Sequence, residues 1–268
     1  MKKAYMHRST LACAIFLSLA ACGGGNDGKT PAVINPVTPN NTNNAAPPAR
    51  TNSNSGTNNT GSTEGRVLIT SRNGATRPVE NIIRGNNGFR ALQVDGKIIQ
   101  LEYPNLPSSG NFYEVNTSGV HSIISGKWLS YSRFGVHSDL NTGMDYTFYV
   151  GNPTPVSSIP ASGSATYQGL AVMSVNQGEY ETGDASFRAD FNDRTLEGSV
   201  KVSGPDVILR GQIKGNYFEG THDGIAMEGR FFGPQASELG GMFAGERERL
   251  YGLSSDYVQG SFGATTNY

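Results

Sequence analysis

Once the first 21 residues are set aside, the groups able to do chemistry are few: one thiol at Cys22, three imidazoles, and a dense set of aromatic rings around two of them. Imidazole changes charge near neutral pH and is a common donor to metal ions and to heme iron. His121 stands in a Thr-Ser-Gly-Val-His-Ser run. His137 closes a series with Leu129, Tyr131, Arg133 and Gly135 on one strand face, and His222 lies in a Thr-His-Asp-Gly turn and reads as a plain turn residue. Tyr103, Phe112, Tyr113, Trp128, Tyr131, Phe134, Tyr146, Phe148 and Tyr149 flank the first two imidazoles in sequence. Catalytic patterns are missing: there is no GxSxG, HExxH, Cys-His pairing or P-loop. Glu179, Glu181 and Asp184 form a small acidic group in a turn, which reads as solvated. The expectation is a binding protein and not an enzyme.

The elements that carry these groups begin with a leader. Lys2 and Lys3 precede an apolar run that ends at Leu19, and Ala20-Ala21-Cys22 follows, the layout of a secretory signal too short to span a bilayer. Leu19-Ala20-Ala21-Cys22 resembles a lipobox, which implies a signal peptide over residues 1–21, a lipid on Cys22 and an outer-membrane location. The mature chain then has no free thiol for a disulfide or thiolate metal site. Residues 22–65 read as a disordered tether: past Cys22 they hold ten asparagines and no aromatic residue. As a flexible coil this stretch spans roughly 35–40 Å. Loss of Lys2, Lys3 and Arg8 leaves 18 basic against 22 acidic residues, and no basic stripe points to nucleic acid.

The remaining body is glycine-rich and has no amphipathic helix of normal length, so it is mostly β. Ala185, Phe187, Ala189 and Phe191 alternate with polar residues, as do Leu196, Gly198, Val200 and Val202, then Val207, Leu209, Gly211 and Ile213. Further strands are expected near residues 165–175, 216–221, 225–232, 240–245, 249–252 and 258–264, about eight in all. Eight short antiparallel strands suit a closed barrel. Charged outward residues such as Arg188, Glu197, Lys201 and Arg210 make it a soluble one, and inward glycines imply a filled interior. Residues 66–162 are less regular. Residues 92–99 form a hairpin signal around Asp95-Gly96, and strands are expected over 128–136 and 146–150.

The segment from Gly229 to Phe243 reads GRFFGPQASELGGMF. It resembles the barrel signature of the transferrin-binding protein B superfamily of surface lipoproteins, which includes the heme-binding hemophilins. Gly151-Asn152-Pro153-Thr154-Pro155 and Pro160-Ala161-Ser162-Gly163-Ser164-Ala165-Thr166-Tyr167-Gln168-Gly169 resemble the passage that joins that family's handle domain to its first barrel strand. The resemblance covers roughly residues 128–262 and implies one lobe: an N-terminal β-rich handle domain (66–162) and a C-terminal eight-stranded antiparallel barrel (163–268). It further implies export by a dedicated surface lipoprotein translocator (a Slam-dependent route), attachment to the membrane by lipid alone, and a hemophilin-like function. That function is heme binding for iron acquisition, with heme taken from a host heme or iron protein and handed to an outer-membrane TonB-dependent receptor. The alternative is a lipoprotein that binds a host protein without heme: transferrin, hemoglobin or a complement regulator.

Under the heme reading His121 and His137 are the candidate axial ligands, and Tyr103, Tyr113, Tyr131 and Met144 the pocket candidates. No metal beyond heme iron is expected. One straight strand from Lys127 to His137 would be about 33 Å long, which would leave His121 roughly 20 Å from His137. Ligation by both then needs a bend; one histidine alone, or one with Tyr103, Tyr113 or Met144, stays open.

Overall fold

Runs of branched and aromatic residues become strands here wherever a residue at positive φ can turn the chain between them. The computed structural model describes residues 63–72, 76–79, 85–86, 89–94, 96–103, 110–248 and 255–266. Cys22, the tether up to residue 62 and the expected strand at 249–252 lie outside the described residues. The described residues belong to one unit.

Nine strands precede the barrel among the described residues: β1 (Glu64–Ser71), β2 (Thr76–Val79), β3 (Gly85–Asn86), β4 (Ala91–Val94), β5 (Lys97–Gln100), β6 (Phe112–Asn116), β7 (Val120–Ser125), β8 (Ser132–Asp139) and β9 (Met144–Gly151). They form a six-stranded antiparallel sheet ordered β2-β1-β9-β8-β7-β6 and a small three-stranded sheet, β3-β4-β5. Glu64 and Gly65 already pair with Gly151 and Val150, so regular structure starts two residues before the expected handle boundary. The β4–β5 hairpin turns at Gly96, whose φ of +77° suits a residue without Cβ.

Eight further strands close on themselves: β10 (Ser164–Val175), β11 (Glu181–Asp190), β12 (Thr195–Lys201), β13 (Val207–Lys214), β14 (Tyr217–His222), β15 (Ile225–Phe232), β16 (Glu238–Glu248) and β17 (Ser255–Thr265). The barrel reaches eight strands without residues 249–252, because β17 pairs with both β16 and β10. Its interior is filled. Tyr167, Phe187, Phe218, Phe231, Phe243 and Phe262 are all buried inside it, each contributing about 1.5–3 kcal/mol by burial. Glycines make room for the rings: a Cβ at Gly229 would stand 2.4 Å from Phe218, and one at Gly241 2.6 Å from Phe262. This is the filled interior that the inward glycines imply.

One stretch of the barrel's outer wall is also dry. Leu170 and Val172 of β10 and Met242 and Ala244 of β16 pack against Leu68, Ile123, Phe134, Val136 and Tyr149 of the six-stranded sheet. The two bodies come close enough that a Cβ at Gly263 would meet Phe134 at 2.5 Å. Buried polar groups cross the same seam, where the Gln259 Nε2 donates to Thr70 Oγ1 at 3.1 Å and to the Tyr180 hydroxyl.

The expected strand over 128–136 starts later, at Ser132. The cause is Glu238, the first residue of β16. Its carboxylate accepts the Ser130 N–H (2.6 Å), the Tyr131 N–H (3.1 and 3.2 Å) and the Ser132 hydroxyl (2.8 Å). Backbone donors taken by a carboxylate cannot join a ladder, so residues 128–131 form a loop clamped to the barrel. Burial pushes the Glu238 carboxyl above its ordinary value, against the pull of these donors and of nearby Arg133.

Candidate functional site

Register decides where the predicted site residues point. Ser122 pairs with His137, and His121 with Ser138; His137 in turn pairs with Tyr146. Cross-strand partners share a face of a sheet and neighbours along a strand do not. His121 and His137 therefore sit on adjacent strands, not some 20 Å apart, yet on opposite faces of the same sheet. One iron cannot be bonded by both.

The His137 face is covered by the small sheet. Val67, Ile69, Tyr146, Phe148, Val150 and Ile124 pack there against Phe89, Leu92, Val94, Ile99 and Leu101. His137 is 8% exposed, with its Nδ1 2.7 Å from the Ser122 hydroxyl and its ring 6.0 Å from that of Tyr146. Burial, and then the nearby Lys97 cation, push its pKa below the ordinary value, so it is neutral at physiological pH. Tyr103 and Met144 pack at the border of this cluster. Burial raises the Tyr103 hydroxyl, which also bonds Ser122. Tyr113 is buried on the same face, paired with Ile124. Tyr131 goes elsewhere: it lies in the clamped loop, on the barrel side, against Gly233.

A charged latch holds the small sheet down. Lys97 of β5 bonds Asp139 of β8 and sits 5.2 Å from the Tyr146 ring centroid. The Lys97 bond takes the Asp139 carboxyl down to about 2; burial is the largest single influence on Lys97 and lowers it, but Asp139 and Tyr146 together outweigh it and leave Lys97 raised. A second tie is Arg133, whose guanidinium stacks 5.4 Å from the Phe89 ring and lies 3.7 Å from Glu102. Burial lowers its pKa, and an arginine so lowered still carries its charge.

His121 faces the barrel side near the outer end of the sheet, its Nε2 3.3 Å from Glu114. Beside this pair an open cleft of about 370 Å³ separates β6 and β7 from the barrel wall, lined by Phe112, Glu114, Ile123, Leu170 and Asp184 among others. A second depression of about 350 Å³ continues from Asp184 across β12, lined also by Lys201, the cross-strand partner of Asp184, and by Asp206. Asp184, read from sequence as part of a solvated acidic group in a turn, is exposed as expected but stands with Glu181 on β11, where ladder pairing with β10 extends the strand, and it borders both.

Two functional-grade features escaped the sequence. Glu238 is the sole acidic residue in its Gly- and Phe-rich signature, and that isolation is the one local sign of its role. Glu228 is buried on the outer wall of β15, 3.0 Å from Arg66 of β1, and burial drives its carboxyl up to about 7. Its position in the strand alternation marks it as outward, and outward normally means solvated. Among the described residues no group of three or more His, Cys, Asp or Glu is placed to hold a metal ion, and no helix is long and apolar enough to cross a membrane.

A family profile described as the C-lobe and N-lobe beta barrels of Tf-binding protein B matches residues 159–266. An uncharacterized protein of Haemophilus influenzae is 30% identical over 205 residues, covering 67% of this chain and 70% of that protein. Transferrin-binding protein B of Haemophilus influenzae is 30% identical over 188 residues, 52% of this chain and 30% of its own length. The protein of the same name from Neisseria meningitidis serogroup B is 28% identical over 194 residues, 58% and 31%. This chain thus matches about a third of each of those two proteins. Among solved structures, intact transferrin-binding protein B with its N and C lobes aligns at a TM-score of 0.55 and 21% identity, over 75% of this chain and 46% of the other. The isotype 1 protein from Neisseria meningitidis serogroup B aligns at 0.55 and 20%, over 75% and 43%. The last two likenesses speak to the fold.

Proposed function

The chain belongs to the transferrin-binding protein B superfamily, and from that premise we propose that it is a non-catalytic, surface-displayed protein that binds a host iron-carrying protein. The observation that carries this reading is the likeness in sequence to transferrin-binding protein B from two bacterial genera, over 188 and 194 residues. The filled barrel supports it as well: rings occupy the interior, so recognition falls to the handle and the barrel's outer surface. Display follows from a lipid on Cys22 and the tether behind it, with a membrane receptor and a lipoprotein translocator as bacterial partners. The test is capture. The purified chain, immobilised through its N-terminus, binds human transferrin or hemoglobin saturably and leaves albumin in solution. Failure to bind either iron protein sinks the proposal.

A second reading, heme held by one histidine, is favoured by a single observation: His121 is half-buried and bonded to Glu114, which lines the cleft with Phe112 and Leu170. Such a site joins an imidazole to an apolar wall, the donor set a heme needs. His137 does not fit the same role, because the small sheet covers it and Ser122 and Tyr146 take up its ring. Hemin titration with optical detection separates the readings. A Soret shift abolished by His121→Ala and kept by His137→Ala supports heme on His121; no shift, or one insensitive to His121→Ala, refutes it.

A further inference from the structure

We infer that the cleft between β6 and the barrel wall receives an extended segment of the protein partner, which pairs with β6 as an added strand and places a basic side chain between Glu114 and Asp184. The inference rests on the protein-binding reading above. Three observations lead to it. First, β6 is the outer strand of the six-stranded sheet, pairing with β7 on one side and with no other strand among the described residues. Second, its ladder is phased. The Gly126 N–H donates to the Asn111 carbonyl at 2.7 Å and the Thr117 N–H to the Val120 carbonyl at 2.8 Å. Antiparallel ladders alternate, so the odd-numbered residues of β6 bond inward to β7, while Glu114 and Asn116 turn N–H and C=O outward. An unpaired row of this kind is a template for another chain.

Third, the cleft opens on the side where the side chains of Phe112 and Glu114 stand. Phe112, Ile123 and Leu170 supply an apolar wall for one residue of an incoming strand. Glu114, whose side chain is 60% exposed, and Asp184, also exposed, supply negative charge on either side of the opening. The nearest cation on the wall, Lys201, is the cross-strand neighbour of Asp184 and lines the adjoining depression, not this cleft. An extended segment with an apolar residue and, two positions on, a Lys or Arg turns both toward the cleft and matches the edge and the charge; an acidic one is repelled.

The probe is an acetylated, amidated heptapeptide of sequence Thr-Val-Thr-Lys-Thr-Val-Thr, whose Val and Lys side chains share one face, titrated into the full chain and followed by amide shifts in NMR. A control peptide carries Glu in place of Lys. The expected result is perturbation confined to β6, β7 and the β10–β11 wall, with the acidic peptide silent. Glu114→Lys and Asp184→Lys each weaken binding about fivefold. Asn116→Pro removes an outward donor that the β7 ladder does not use, and weakens binding through the backbone alone. Asp184→Lys, on the barrel, keeps the test valid if a change in β6 disturbs the handle. Shifts centred elsewhere, equal binding of the acidic peptide, or indifference to all three variants would overturn the assignment. Because the peptide assay needs no host protein, its failure leaves the capture result standing, and failed capture with peptide binding intact sinks the broader reading alone.

Discussion

Replacing Glu228 by glutamine should flatten the pH dependence of stability, and the size of the change can be worked out from the site. Glu228 is 6% exposed. Burial is the main force raising its carboxyl to about 7; Arg66 and Arg230 oppose it and Glu219 assists. In the unfolded chain the group ionises near its ordinary value of 4.5. Between these two values the folded protein holds a proton that the unfolded chain has released, so this group's stabilisation is fully present below about pH 4.5 and is lost as pH rises to about 7. At about 1.4 kcal/mol per pH unit the gap corresponds to roughly 3 kcal/mol. Glu228→Gln keeps the shape and a hydrogen-bonding head without ionising. Urea unfolding of both proteins from pH 4.5 to 8 should show the variant gaining roughly 3 kcal/mol on the wild type across that range, most of it below pH 7. Arg66→Ala, which takes away the carboxylate's nearest cation, should move the wild-type slope to higher pH. Parallel curves for wild type and Glu228→Gln would refute the account, since the buried carboxyl would then ionise as it does in water.

Three other outcomes follow from the packing. Glu238→Ala leaves the Ser130 and Tyr131 N–H groups and the buried Ser132 hydroxyl without their acceptor in a part-buried seam and should cost roughly 2–4 kcal/mol, with faster hydrogen exchange at those two amides before global unfolding. Gly229→Ala drives a methyl into Phe218 and the Gly240 carbonyl, both 2.4 Å from the new Cβ. It should cost about 1–3 kcal/mol in urea unfolding, with the fluorescence of Trp128, outside the barrel interior, little changed in the native state. Lys97→Ala opens the latch on Asp139, so exchange protection in β4 and β5 should fall while that of β10–β17 holds; equal loss in both would mean that the latch stabilises the whole body and not the small sheet.

The barrel was legible because its information is local. Period-two alternation in residues 185–213 and the small and large residues of the Gly229 to Phe243 signature specify strands with one apolar face, and turn residues such as Arg194 and Gly224, both at positive φ, mark their ends. The hairpin around Gly96 was legible for the same reason. The handle was harder to read. Its strands are buried on both faces, one under the small sheet and one against the barrel, so β8 has seven buried residues in succession and alternation no longer tells which side is which.

Sequence alone therefore determined the fold class, the strand count of the barrel, its filled interior and the family signature, since each depends on residues close together in the chain. Tertiary structure alone decided the facing of the two histidines, the late start of β8 and the burial of Glu228. Register changes the face of a side chain with every single-residue step. Here it is settled by contacts more than a hundred residues apart, with Glu238 holding Ser130 to Ser132 and Arg66 reaching Glu228, and no local pattern encodes such contacts.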